Sequence, residues 1–205
     1  PFTISLVKDT KPTTFAELIK ISGLSHGTDV WLGNAQELIA KNVVPFSKVI
    51  GCRDDIMVDL MYRGLPPFKA FKIMEFVRKG RASKPKDHEE WEGYVKLMHE
   101  YNVEDWFIDS CAKIKYMFPK AHAAAYVTNA FRIAWFKVHK PEAYYTAFFS
   151  IRADGFDYDI MCHGKEKVLN KMREIDMAGN AALPKDKDMY PVLELVLEMY
   201  ERGIK

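Results

Sequence analysis

The sequence predicts an all-α fold, an irregular bundle of about nine short to medium helices, and three observations support this prediction. Apolar residues recur at helical spacing in one segment after another, and no segment shows the alternation of a strand. Proline and glycine stand at the ends of these segments, where helices begin and end. The chain has 205 residues, 48% of them hydrophobic, which is enough to bury a real core.

The N-terminal part shows a clear helix start and a candidate binding loop. Thr14 and Glu17 fit a capping box, and the helix that they begin is predicted to end at Gly23. The polar loop that follows, residues 23–31, contains two glycines and has two possible interpretations. Loops of this composition often bind ligands. The alternative is a tight turn in which Asp29 caps the next helix and Trp31 anchors in the core.

The remaining helices are predicted from the same signals. Their approximate ranges are 34–41, 51–63, 66–79, 91–101, 103–117, 119–139, a helix from Pro141 onward, 157–177 and 188–202. The charged segment 81–90 contains a proline and is predicted to be a mobile linker. The whole chain is expected to be one domain, with helices in 157–203 as a linking subdomain.

Adjacent carboxylates at Asp54 and Asp55 suggest a metal pair at first sight. Adjacent residues of a helix point about 100° apart, however, and acidic residues at a helix start pair with free N–H groups. We therefore expect this pair to serve the helix start, and we assign it no metal.

Charge and cysteine content exclude several classes of protein. A formal net charge of +2 is too small for a general polycation but allows a local basic face, formed by Lys113, Lys115, Lys120 and Arg132. Three widely spaced cysteines form neither a disulfide framework nor a zinc motif, so we expect a reducing, cytoplasmic setting. No apolar run is long enough for a membrane span, and no signal sequence opens the chain. Because the sequence starts without Met, we expect an excised fragment.

The stretch from Phe118 to Thr128 is the strongest chemical signal. Pro119 suits the first turn of a helix, and the alanines after it favour helix. Lys120 and His122 in this first turn add side-chain donors to the free backbone N–H groups of a helix start, which outlines an anion site. Tyr126 lies one turn further along the same face, where it could contact a ring above the anion.

Several long segments closely resemble the PolC-type alpha subunit of bacterial DNA polymerase III. The segments, which occur in the family's order, are 21–31, 49–57, 71–75 and 114–127. The resemblance extends from about Pro12 to Gly203 and implies the fingers domain of a replicative DNA polymerase. Segment 81–100 departs most from the family pattern, and we assign no function to it.

This resemblance implies a role for each candidate residue. In the family, the fingers close over a deoxynucleoside triphosphate on primer-template DNA, while palm carboxylates outside this chain hold the catalytic metal ions, expected to be Mg²⁺. The fragment alone would bind no cofactor and be inactive, and its partners would be the palm and thumb, the sliding clamp and the replisome. The implied nucleotide-binding residues are Lys120, His122, Tyr126, Lys115, Arg132, Ser25, His26 and Thr28, with phosphate or template contacts from Arg53 and Arg63.

Two other classes of function stay open from the sequence alone. A stand-alone helical DNA-binding module without a nucleotide role would bind duplex with a steep salt dependence, but no DNA-reading motif is present. An all-α enzyme with His26 or His122 as general base would need a nucleophile or metal partner, and none stands at suitable spacing.

Overall fold

The computed structural model describes residues 2–204, and the all-α prediction is confirmed. These residues form twelve α-helices and one isolated β-bridge, between Thr28 and Tyr116. The helices are α1 Phe2–Thr10, α2 Phe15–His26, α3 Gln36–Ala40, α4 Arg53–Tyr62, α5 Pro67–Arg78, α6 His88–Glu100, α7 Asp105–Lys113, α8 Lys120–His139, α9 Pro141–Ala147, α10 Tyr158–Met161, α11 Lys165–Ala178 and α12 Pro184–Glu201. None of these helices is long and apolar enough to cross a lipid bilayer.

The chain divides into two compact units, one up to Asn129 and one from Ala130 onward. The first unit has a continuous core built from α1 to α7 and the loops between them, with Ile56, Ile73 and Met98 fully buried in it. The second unit has its own core, in which α11 packs against α12 around Val168 and Leu193.

The first helix continues past its predicted end. Thr14 and Glu17 form the predicted capping box, but Gly23 lies inside α2 and is buried. A Cβ at this position would lie against the carbonyl oxygen of Gly51 and 2.5 Å from Sγ of Cys52. Gly23 therefore serves close packing between α2 and the turn before α4, whereas the sequence predicted a helix stop.

Most other predicted helices begin and end within a few residues of those observed, but the helix predicted over 103–117 ends at Lys113, because Ile114 is extended and residues 114–119 are not helical. One helix, α1, was not predicted and lies before the first predicted helix. The helix predicted over 157–177 is divided into α10 and α11 by Gly164, which has a φ of 102°. Trp31 is buried in the core, as the turn reading of its loop requires, but Asp29 caps no helix. The aromatic residues of segment 144–149, at the end of α9 and just after it, supply core packing, since Tyr145 is buried and Phe149 packs on the second core.

Candidate functional site

A short connecting segment, residues 114–119, fixes where the long helix α8 begins. Its backbone is bonded to three other parts of the first unit. The carbonyl of Tyr116 accepts from Thr28 N–H at 2.9 Å, and the N–H of Met117 donates to the carbonyl of Arg78 at 3.3 Å. The carbonyl of Phe118 accepts from Arg53 N–H at 3.1 Å. These bonds bring the start of α8 beside the start of α4 and the end of α2.

The turn after α5 admits this segment because Gly80, two residues past the end of the helix, has no side chain. Gly80 has a φ of 64°, in the left-handed region, and a Cβ there would lie 2.8 Å from Cα of Lys115. The glycine thus ends α5 and also allows the close backbone approach of the connecting segment.

Asp54 caps α8 from a distant part of the chain. Its Oδ2 accepts the backbone N–H of Lys120 at 2.7 Å. The bond from Ala123 N–H to the carbonyl of Pro119, at 3.1 Å, closes the first turn of α8. The N–H groups of Ala121 and His122 lie between these two bonds and have no acceptor within the helix, so they point outward from its positive end.

The ammonium of Lys120 is held by Asp55. Its Nζ lies 2.7 Å from Oδ1 of Asp55, while Oδ2 of the same carboxylate accepts from the N–H groups of Gly51 and Cys52 at 3.1 and 3.0 Å. Burial lowers the pKa of Lys120, but the hydrogen bond and charge of Asp55 outweigh that effect and raise it above its ordinary value. Lys120 is therefore a fully charged group with a fixed position.

Both carboxylates of this pair serve helix starts, but only Asp55 serves the start of its own helix, as the sequence predicted for both. Asp55 accepts bonds at the start of its own helix α4, and Asp54 does so at the start of α8. Within residues 2–204, no three His, Cys, Asp or Glu side chains gather in a group that could hold a metal ion.

Four aromatic rings form a row along the same side of the site. The ring centroids of His26 and Phe118 are 4.9 Å apart, those of Phe118 and His122 are 5.2 Å apart, and those of His122 and Tyr126 are 4.7 Å apart. Tyr126 at the end of this row is 62% exposed. The row gives the site an apolar wall beside the cationic start of α8.

Four further predicted residues, Ser25, His26, Thr28 and Lys115, lie at the end of α2 and at the β-bridge. Nδ1 of His26 is 2.9 Å from the hydroxyl of Ser25 and 2.9 Å from the carbonyl of Ser22. A carbonyl only accepts, so a proton on Nδ1 leaves Nε2 of the neutral ring as an acceptor. Lys115, whose N–H bonds to the carbonyl of Thr28, pairs through its Nζ with Asp29 at 2.7 Å.

Arg53 lies at the start of α4 with few strong partners. Its guanidinium is 3.9 Å from Asp54 and 4.0 Å from Glu75, the outer limit for an ion pair, and its buried Nε has no hydrogen-bond partner among the described residues. Glu75 is bound more tightly by Arg78, whose hydrogen bonds lower the pKa of Glu75 to about 2. Arg53 therefore lies next to α8 without a short ion pair.

One predicted residue of the first unit lies apart from this group, and another belongs to the second unit. Arg63 is at the other end of α4, where it bonds to Asp59 and Glu104, each at 2.6 Å, and to the carbonyl of Asn102 at 3.2 Å. Arg132 is exposed and belongs to the second unit.

Sequence reasoning identified the cations and rings of the site but missed the groups that hold them. Asp55 and Asp29, the partners of Lys120 and Lys115, are 65 and 86 residues away from them in sequence. Phe118 was read only as part of a motif, and its place between His26 and His122 required the fold.

Comparison of the sequence with known families and relatives identifies the family of this chain. The family model for the bacterial DNA polymerase III alpha subunit finger domain matches residues 1–102. The chain belongs to this family of polymerase finger domains. Within it, the chain is similar to "DNA polymerase III PolC-type" of Bacillus subtilis (strain 168), with 60% identity over 202 residues and 98% of this chain. It is also 58% identical, over its whole length, to the PolC-type relative of Streptococcus suis.

The chain spans only a small part of these relatives. The aligned region is 14% of the length of each, so most of the relatives' sequence has no counterpart here. The resemblance to PolC-type polymerase fingers inferred from sequence motifs is confirmed by this identity over nearly the whole chain.

Proposed function

We propose that this chain is the part of a PolC-type replicative polymerase that grips the incoming deoxynucleoside triphosphate. The observation that carries the proposal is the start of α8, where Lys120 and two outward N–H groups stand beside a row of rings. A triphosphate needs cationic and N–H donors, and a nucleoside needs a flat apolar wall.

The phosphate end of the nucleotide would lie at the first turn of α8. The outward backbone N–H groups of Ala121 and His122 and the ammonium of Lys120 would supply donors there, and Arg53, at the neighbouring start of α4, would add positive charge. Such donors stabilise the charge of a transferring phosphoryl group without covalent chemistry. Lys115 would join them if its pairing with Asp29 opened.

The base or sugar would lie along the row of rings. Tyr126 and His122 present exposed ring surface, and Ser25, His26 and Thr28 lie at the other end of the row with polar groups. We leave Arg63 out of the nucleotide site, because its guanidinium is already bonded to two carboxylates and a carbonyl.

The intact protein would be a DNA-directed DNA polymerase, a nucleotidyltransferase that works in the cytoplasm on primer-template DNA. The proposal rests on the polymerase names of relatives that match almost the whole chain. Catalytic Mg²⁺ would be held by palm residues outside this sequence, and the isolated chain would be inactive. The second unit would link the fingers toward the DNA-binding region, while the palm and thumb, the sliding clamp and the replisome would be partners of the intact protein.

Lys120→Ala in the full-length polymerase tests the proposed phosphate contact. Loss of a charge-assisted hydrogen bond should cost about 2 kcal/mol, which weakens apparent nucleotide affinity about 30-fold in single-turnover incorporation. Asp55 keeps its bonds to Gly51 and Cys52 in this variant, so the fold should persist. Lys96→Ala, which removes an exposed lysine of α6, is the matched control. An unchanged affinity and rate for Lys120→Ala would refute the contact.

A further inference from the structure

We infer that Asp55 is a positioning residue that fixes the ammonium of Lys120 beside the start of α8. This inference rests on the proposed function and names the residue that orders its central cation. Asp55 itself does not reach the substrate; it acts on the nucleotide through Lys120.

The carboxylate of Asp55 is an unusually fixed anchor. One of its oxygens accepts two backbone N–H groups of the turn before α4, from Gly51 and Cys52. Its side chain is 16% exposed, while that of Lys120 is 52% exposed. The lysine is long and flexible in solution, so the fixed carboxylate decides where the ammonium stands.

The geometry leaves Lys120 able to bind a second anion while it stays paired. An ammonium has three N–H donors, and Asp55 occupies one of them at 2.7 Å. The exposed side of the ammonium can therefore donate to a phosphate oxygen. Lys120 can therefore pair with Asp55 and contact phosphate at the same time. Because the pairing already orders the lysine side chain, phosphate binding loses less side-chain entropy.

Another ammonium in the neighbourhood cannot take over this position. Nζ of Lys20 donates to the carbonyls of Ser47 and Val49, at 2.7 and 2.6 Å, and the residue is half-buried. Burial lowers the pKa of Lys20, an effect that Asp55 partly opposes. Lys20 thus braces the loop before α4, and the position beside α8 depends on Lys120.

Asp54 and Asp55 have separable tasks. Asp54 bonds to the backbone N–H of Lys120, which any residue at that position would provide, whereas Asp55 bonds to the side chain. A substitution at Asp55 therefore loses its effect when the lysine side chain is removed, while a substitution at Asp54 does not.

A double-mutant cycle in the full-length polymerase tests the inference. The variants are Asp55→Asn, Lys120→Met and the double substitution, and the measured quantities are the apparent Kd of the nucleotide and the maximal rate in single-turnover incorporation. Asparagine still offers an oxygen to Gly51 and Cys52 but loses the charge that holds Lys120. We expect Asp55→Asn to raise Kd about fivefold with little change in rate, and to add nothing in the Lys120→Met background.

Three outcomes separate failure of the inference from failure of the proposed function. Equal weakening by Asp55→Asn in both backgrounds would show a structural role and overturn the inference. An unchanged Kd for Asp55→Asn, with a weakened Kd for Lys120→Met, would overturn it while the proposed function stood. A normal Kd for Lys120→Met would overturn both.

Two further variants serve as a control for loss of a surface charge and as a substitute if Asp55→Asn does not fold. Glu37→Gln removes an exposed ion pair to Lys41, of 3.1 Å, and should leave Kd unchanged. Asp55→Ser keeps a short side-chain acceptor for the turn before α4 and replaces Asp55→Asn if that variant fails to fold. It should give the same dependence on Lys120, and its failure to do so would also overturn the inference.

Discussion

Replacing Gly23 by alanine tests how closely α2 packs against the turn before α4. A helix interior normally favours alanine over glycine by about 1 kcal/mol. Here the added Cβ would lie against the carbonyl oxygen of Gly51, 3.0 Å from its carbonyl carbon and 2.5 Å from Sγ of Cys52. Two of these atoms belong to the backbone, which cannot rotate away as a side chain end can.

The two effects have opposite signs, and the clash should be larger. Overpacking a well-filled core costs roughly 1–3 kcal/mol, and a backbone contact belongs near the upper end of that range. Subtracting the gain in helix propensity leaves a net loss of about 2 kcal/mol in the free energy of unfolding of the Gly23→Ala variant.

A second glycine provides the matched control. Gly93 lies inside α6, is exposed, and would meet no heavy atom within 4 Å if it carried a Cβ. Gly93→Ala should therefore stabilise the chain by about 0.5–1 kcal/mol.

Urea unfolding of the purified chain, followed by far-ultraviolet circular dichroism, measures both changes. The midpoint should fall for Gly23→Ala and rise for Gly93→Ala at similar m values. A Gly23→Ala variant as stable as the wild type would refute the close approach of α2 to Gly51.

Two other substitutions test ion pairs of the first unit. The pKa of Glu75 is about 2 in the folded state against an ordinary 4.5. Its ionised carboxylate therefore stabilises the fold fully above pH 4.5, and this stabilisation is lost as the pH falls from 4.5 through 2. Glu75→Gln should cost about 1–2 kcal/mol at pH 7 after allowance for solvent screening, and the gap to the wild type in pH-dependent unfolding should close in acid; a constant gap would contradict this pKa. Arg63→Met should cost a similar 1–2 kcal/mol in urea unfolding while nucleotide Kd is unchanged in the full-length polymerase, because this arginine joins α4 to Asn102 and Glu104; normal stability with a weakened Kd would be the contrary result.

Local signals in the sequence predicted most helix starts correctly. The capping box at Thr14 and Glu17 and the proline at the start of α5 act within one turn of the chain, so a single sequence contains them. The predicted helix end at Gly23 was wrong, because the sequence does not distinguish a glycine that ends a helix from one that allows a neighbouring backbone to approach closely. The difference lies at Gly51, in another part of the chain.

Apolar periodicity was less informative about burial in α8. Trp135 and Phe136 stand at adjacent apolar positions of the α8 sequence, yet they are 48% and 51% exposed, as is much of that helix. Spacing shows which residues share a face of a helix, but it does not show whether another element covers that face. The nucleotide roles of the candidate residues, the single-domain assignment and the mobility of segment 81–90 stay predictions.

The bonds that pin segment 114–119 have a consequence for how the site forms during folding. They join residues far apart in sequence, with Thr28 nearly ninety positions before Tyr116 and Arg53 sixty-five before Phe118. Closing such long loops is slow and costs chain entropy before any contact repays it. The candidate site therefore forms only with the fold of the first unit: we expect the hydrogen-bonded amides of Lys115, Tyr116 and Met117 to exchange hydrogen only when that unit opens as a whole.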